Sequence, residues 1–285
     1  MLSRKNICLR MSHRELATIF LLLAGLCGTI LSCKPKPSEN LTVGHKATSS
    51  LNQNLIPRSV VDSSQLNYLM GKFIPEADPN FVAIPESDAD RTGMYMRKEA
   101  YAAFQQMKAA ALNAGVELQI RSAARNFDYQ KGIWERKWTG ETILSSGDNA
   151  ATAFPDSKER AMKILEYSSM PGTSRHHWGT DIDLNNFNNS WFETGEGLKL
   201  FEWLEANAHN YGYCRPYTAK DKMRPNGYNE EKWHWSYTPI SDSLTQLAET
   251  HLTSQMIQGF MGDEVSTEIN VVNNYVLGIN QGCVH

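Results

Sequence analysis

Residues 174–183, SRHHWGTDID, hold two adjacent histidines, a tryptophan, a glycine and two aspartates in ten positions. About fifty residues later, Glu231-Lys-Trp-His-Trp-Ser-Tyr237 adds a further histidine and carboxylate. If the two stretches serve one site, the fold must lay them side by side, and no other feature constrains the chain as much. Asp181–Leu184 alternates polar with apolar. As a strand it points Asp181 and Asp183 to one face and Ile182 and Leu184 into a core. Gly179 lets the chain turn between His176 and that strand. Glu231 and His234 stand three apart, so a straight strand would send them to opposite faces. They share a site only if the backbone bends or bulges between them, and the preceding Pro225-Asn226-Gly227 favours irregular backbone there. Trp233 and Trp235 flank His234 and are expected to wall the opposite face.

A catalytic zinc takes three protein ligands from His, Asp, Glu or Cys and leaves one position open. His176 and Asp183 are candidates in the first stretch, and His234 is the third in the second. A carboxylate that is not itself a ligand can accept a proton from an attacking water and return it to a leaving amine. Glu231 suits that role, although Glu230 is adjacent and position alone does not separate them. The competing reading is a polar loop that holds no metal.

The chain of 285 residues is long enough for one or two domains and a real core. Its apolar content, with seven Trp and eleven Tyr, is that of a globular protein. A net charge of −3 argues for no nucleic-acid partner. Residues 1–32 stand apart as a lipoprotein signal peptide. Arg4, Lys5, Arg10 and Arg14 form a basic region. Ala17 to Leu31 is an apolar run, short for a membrane span and suited to a signal-peptide core. It ends in Ile30-Leu31-Ser32-Cys33, which resembles the lipobox of bacterial lipoproteins, with Cys33 carrying the lipid. An uncleaved N-terminal anchor helix is the alternative and exports the rest equally. Removing the segment takes away those four basic residues and Glu15, so the net charge moves from −3 to −6.

Residues 33–60, rich in Lys, Pro, Ser and Asn, read as a flexible membrane tether. A catalytic domain is expected over 61–240 and a C-terminal helical extension over 241–285. Of five cysteines, Cys8 and Cys27 leave with the signal and Cys33 is the anchor. Cys214 and Cys283 remain as an even pair, able to form a disulfide or to stay as two buried thiols.

Helical spacing is evident over 97–114, with Gly115 as its stop, and Val116–Arg121 alternates as a strand. Phe127–Trp138 is expected to be helical, and Asp156 can cap a helix running through 158–169. A further helix is expected near 195–211, with Leu198, Phe201, Leu204 and Ala208 on one face, and another over 241–262. Helices and strands mix without a regular βαβ rhythm. The expected class is therefore α+β: a small antiparallel sheet flanked by helices, as a single catalytic domain.

Ser174-x-His176-x-x-Gly179-x-Asp181-x-Asp183, followed by Glu231-x-Trp233-His234-x-x-Tyr237, resembles the paired signature of the VanY-type zinc D,D-carboxypeptidases. These belong to a group shared with lysostaphin and the hedgehog signalling domain. The family pattern is SxHxxGxAxD, then ExWHxxY. The resemblance covers roughly residues 65–240. It implies that His176, Asp183 and His234 bind one zinc ion and that Glu231 is the general base and acid. A family Ser-Gly-Tyr-Arg-Ser-like turn followed by Gln stands here as Ser122-Ala123-Ala124-Arg125-Asn126, with Gln130 after it. By resemblance, Arg125 polarises the scissile carbonyl, and Ser122, Gln130 and Ser174 help hold the substrate. Ala123 and Ala124 replace the usual Gly and Tyr. Asp181 stands where the family has a small residue, as a carboxylate that orients a ligand histidine or competes as a ligand. His177 matches no ligand position and is read as exposed or hydrogen-bonding. His45, His209, His251 and His285 have no assigned role, and Trp178, Trp191 and Trp203 are read as core or pocket wall.

The implied function is an exported, periplasm-facing enzyme of the cell envelope that hydrolyses the terminal D-alanine of peptidoglycan stem peptides. The same site could serve an L,D-carboxypeptidase or a peptidoglycan endopeptidase. A non-catalytic cell-wall-binding lipoprotein is the rival of another class.

Overall fold

The computed structural model describes residues 62–284. The expected signal peptide, Cys33 with its expected lipid and the whole of the expected tether lie outside the described residues. In chain order come α1 (Ser63–Leu69), β1 (Phe81–Ala83), β2 (Tyr95–Arg97), α2 (Lys98–Asn113), β3 (Ile120–Ser122) and α3 (Phe127–Trp138). Then follow α4 (Ala150–Ala153), α5 (Ser157–Ile164), β4 (Asp181–Leu184), α6 (Gly195–Asn207), β5 (Tyr213–Cys214), β6 (His234–Tyr237), α7 (Thr238–His251) and α8 (Ser266–Ile269). The central sheet has four antiparallel strands in the order β3-β4-β6-β5. The class is α+β, as the mixed pattern implied.

Local signals act where they were expected. Gly115 sits at φ +69° just past α2, a conformation that favours glycine. Asp156 accepts a hydrogen bond from Glu159 N and caps α5 as expected; Asn126, not named as a cap from the sequence, accepts from Tyr129 N and caps α3. Three expectations need correction. The strand over Val116–Arg121 shrinks to Ile120–Ser122. Asn185, at φ +58°, takes over the pairing with Gln119 by giving its own N–H and receiving Gln119 N–H on its side chain. The helix over 241–262 ends at His251, because the chain then turns to bury Ile257 and Phe260, the latter 6.0 Å from the Trp134 ring. On α6 the buried positions are Gly197, Leu200 and Leu204; Leu198 and Phe201 are only partly covered, with Phe201 under the Arg215 and Lys232 cations.

Two apolar clusters hold the sheet. Ile120, Ile182, Leu184 and Trp235 pack with Phe104, Met107, Leu200 and Leu204 of α2 and α6. Trp134, Trp138, Ile164, Trp178, Tyr217 and Tyr228 form the second cluster with Ala248, Ile257, Val272 and Val276. Residues beyond 240 thus share a core with the helices that carry the site. Cys214 and Cys283 form a disulfide, with Cα atoms 5.6 Å apart. It ties the edge strand β5 to the end of that C-terminal segment.

Candidate active site

Strand alternation and register build the site. In β4, Ile182 and Leu184 enter the first cluster, which leaves Asp181 and Asp183 on the other face. β6 pairs Asp183 with His234 and Asp181 with Ser236. Before β6 the chain turns, His234 N–H donating to Glu231 O at 3.4 Å. This is the bend that lets Glu231 share a site with His234: its Oε2 lies 3.5 Å from His234 Nδ1. A short 3₁₀ turn, Arg175–Trp178, brings in His176, and Gly179 follows at φ +70°. A Cβ on Gly179 would run into the Phe81 ring.

His176, Asp183 and His234 are buried, with one potential ligand atom from each all within 4.8 Å of one another. His176 Nε2 lies 3.2 Å from Asp183 Oδ2, and His234 Nδ1 lies 3.0 Å from Asp183 Oδ1. Tetrahedral ligands at 2.0–2.1 Å from a zinc ion stand about 3.3 Å apart, which matches the two histidine–carboxylate distances. The outward nitrogens are already engaged. His176 Nδ1 faces Ala123 O at 2.8 Å, and a carbonyl can only accept, so this nitrogen carries the proton. His234 Nε2 is 2.9 Å from Asp181 Oδ1. Both rings therefore turn their other nitrogen to Asp183, whose Oδ1 makes no hydrogen bond. Two imidazoles and a carboxylate converging in this way fit zinc.

Asp181 thus sits behind His234, on the ring nitrogen that does not face Asp183. It is fully buried and also accepts from Arg175 Nε at 3.2 Å, Thr180 Oγ1 at 2.6 Å and Ser236 Oγ at 2.9 Å. Arg175 donates in addition to Thr245 and Ser236 hydroxyls and stacks 4.5 Å from the Trp178 ring centroid. Burial opposes ionisation of both aspartates, yet Arg175 and the two histidines hold Asp181, and the two histidines alone hold Asp183, well below the usual carboxylate range. Burial also works against a charged His234, but Asp181 and Asp183 outweigh it and raise its pKa to about 9. Burial pushes the Glu231 carboxyl up to about 8, with Asp183 adding to the rise and His234, Arg125 and Lys137 opposing it.

A cavity of about 650 Å³ opens over this centre. Arg125, Gln130, Ser174 and Glu231 line it, so five residues named from the sequence for the reaction or the substrate reduce to one exception. Ser122 is that exception: it is buried in β3 opposite Asp183, outside the lining. Gln130 donates to Ser169 O and keeps Oε1 without a partner. Ser174 Oγ and Arg125 Nε also lack partners. His177 is wholly buried rather than exposed. Its Nδ1 faces Arg125 O at 2.6 Å and its Nε2 accepts Gly172 N–H, so it pins the loop carrying Arg125. Trp233 lines the cavity, whereas Trp235 lies in the core behind the sheet. Sequence reading missed Lys137, Tyr217 and the Arg175 network. Lys137 follows Gln130 by seven residues on one helix face, a usable signal; Tyr217 lies in an irregular loop and offered none.

Residues 93–240 match the family model described as VanY, D-alanyl-D-alanine carboxypeptidase. The chain belongs to the VanY D-alanyl-D-alanine carboxypeptidase family. The VanY match contains every residue of the metal trio, Glu231 and the cavity polar groups. The chain is 31% identical over 146 residues to YodJ of Bacillus subtilis (strain 168), provisionally named a carboxypeptidase, covering 50% of this chain and 46% of YodJ. It is 27% identical over 131 residues to a D-alanyl-D-alanine carboxypeptidase of Enterococcus faecalis (strain ATCC 700802 / V583), covering 46% and 44%. It thus spans about half the length of these curated relatives. Among solved structures, a Zn(II) complex of a mutant of the vancomycin-resistance D,D-pentapeptidase VanY is similar at TM-score 0.44 and 22% identity, covering 67% of this chain and 92% of that one.

Proposed function

We propose that this chain is an exported zinc D,D-carboxypeptidase that removes the terminal D-alanine from peptidoglycan stem peptides. The observation that carries the proposal is the convergence of His176, Asp183 and His234 beside the buried Glu231, in a cavity whose Arg125, Gln130 and Ser174 keep polar atoms unspent. His176, Asp183 and His234 would hold a zinc ion, which would supply Lewis acidity at the site. Glu231, beside His234 but outside the trio, would take the proton of the attacking water and later return it. Arg125 faces the developing oxyanion, a contribution of about 10²–10³ in rate. Gln130 Oε1 can accept a substrate N–H and Ser174 Oγ can donate to a carbonyl. Glu231 then protonates the departing amine of D-alanine.

Lipid anchoring on Cys33, facing the periplasm, belongs to the same proposal. The basic segment, the apolar run and the Cys33 context support it. The Cys214–Cys283 disulfide supports an oxidising compartment. Glu231→Gln tests the chemistry. It should bind zinc nearly as the native chain does and lose at least about 10²-fold in turnover. Native activity in that variant would refute the assignment of Glu231.

A further inference from the structure

The cavity lining contains two cations besides the ligand histidines: Arg125 and Lys137. It contains three carboxylates. Asp183 belongs to the metal trio and Glu231 to proton transfer, while Glu166 is paired with Lys163 at 2.7 Å. Arg125 already has a place at the scissile carbonyl. Lys137 has none, and no carboxylate among the described residues forms a salt bridge with it. Its Nζ donates to Ser168 Oγ, which satisfies one of three ammonium donors. Lys137 lies seven residues beyond Gln130, two turns along α3 on the same face. Lys137 Nζ meets Ser168 and Gln130 Nε2 meets Ser169 O, so the two side chains reach adjacent residues of one cavity wall. Burial and the nearby Arg125 guanidinium both lower the pKa of Lys137, with Glu231 opposing them. Glu231 acts on this cation without pairing with it, so an anionic ligand would be its direct partner.

An enzyme that removes a single C-terminal residue must recognise a free carboxylate close to the scissile bond. We propose that Lys137 is the specificity-determining residue that receives the C-terminal carboxylate of the substrate peptide, with the Ser168 hydroxyl holding its ammonium in place. The proposal rests on the carboxypeptidase reading above. It sharpens that reading into exopeptidase action: an endopeptidase, whose substrate continues past the cut, would have no carboxylate to offer there.

The test uses the zinc-loaded chain carrying Glu231→Gln, so that binding is read without turnover. Calorimetry would compare a pentapeptide ending in D-Ala-D-Ala as the free acid with the same peptide as the C-terminal amide. One charge-assisted contact predicts that the acid binds about 10- to 100-fold more tightly. Adding Lys137→Met should collapse that preference toward one, and Lys137→Arg should restore most of it. Since zinc affinity and melting temperature are measured on each variant, a merely structural role would show as a loss in both peptides alike. An acid-over-amide preference that survives Lys137→Met overturns the inference and leaves the carboxypeptidase reading standing. Tight acid binding that depends on Lys137, with no D-alanine released by the native enzyme, supports the inference and overturns the reading. No binding of either peptide overturns both.

Discussion

Asp181→Asn isolates the one carboxylate that departs from the family pattern. The native carboxylate takes four hydrogen bonds, and both it and the Arg175 side chain are fully buried. An amide keeps nearly the same shape. Its oxygen can still face His234 Nε2 and Arg175 Nε, but the charge is gone. Two consequences separate. Breaking a buried ion pair from one side costs about 3–5 kcal/mol, because Arg175 is left uncompensated. A neutral partner for His234 also makes the ring a poorer and less fixed ligand, which weakens metal affinity about 10- to 100-fold, or about 1.4–2.8 kcal/mol. Urea unfolding of the zinc-free chain reads the first, and equilibrium competition with a chromogenic chelator reads the second. The double variant Arg175→Met/Asp181→Asn tells them apart. Methionine can lie against Trp178 in place of the guanidinium stem, so much of the stability should return while zinc affinity stays weak. Native zinc affinity in Asp181→Asn would refute the claim that Asp181 positions His234.

The remaining predictions concern the frame. Replacing Cys214 and Cys283 by serine should lower stability by about 4 kcal/mol for a crosslink spanning 69 residues, read as a shift in urea midpoint between oxidised native chain and variant. An equal midpoint would show that the C-terminal segment is held by packing alone. The Asp88 carboxyl is buried, which by itself would raise its pKa, but the Lys108 ammonium at 2.8 Å and the Tyr101 hydroxyl at 2.6 Å hold it below the ordinary value. A depressed folded pKa contributes stability above the unfolded value of about 3.9 and loses it as pH falls through the lower folded one. The melting-temperature gap between native and Asp88→Asn should therefore be full at pH 7 and close in acid; a gap independent of pH would contradict this.

Much of the site was legible because its signals are local. The alternation of Asp181–Leu184 places both aspartates on one face, and the three-residue spacing of Glu231 and His234 demands the turn that precedes β6. The cap at Asp156 and the stop at Gly115 depend only on neighbouring residues. What was not legible depends on contacts far apart in the chain. The spacing of Cys214 and Cys283 could not decide between thiols and a disulfide, since only the packed C-terminal segment brings them together. Arg175 reads as an ordinary charged residue until Asp181, Ser236 and Thr245 close around it. Leu252, Ile257 and Phe260 carry no helical period that reveals where α7 stops, because the stop is set by the cluster around Trp134.

The central claim is the bond that is cut. Residues 34–285, produced with zinc and given a synthetic pentapeptide ending in D-Ala-D-Ala, should release free D-alanine. Release should vanish with a chelator and return when zinc is restored. One zinc per chain with no D-alanine released would contradict the account, and a chain that binds no zinc would remove its foundation.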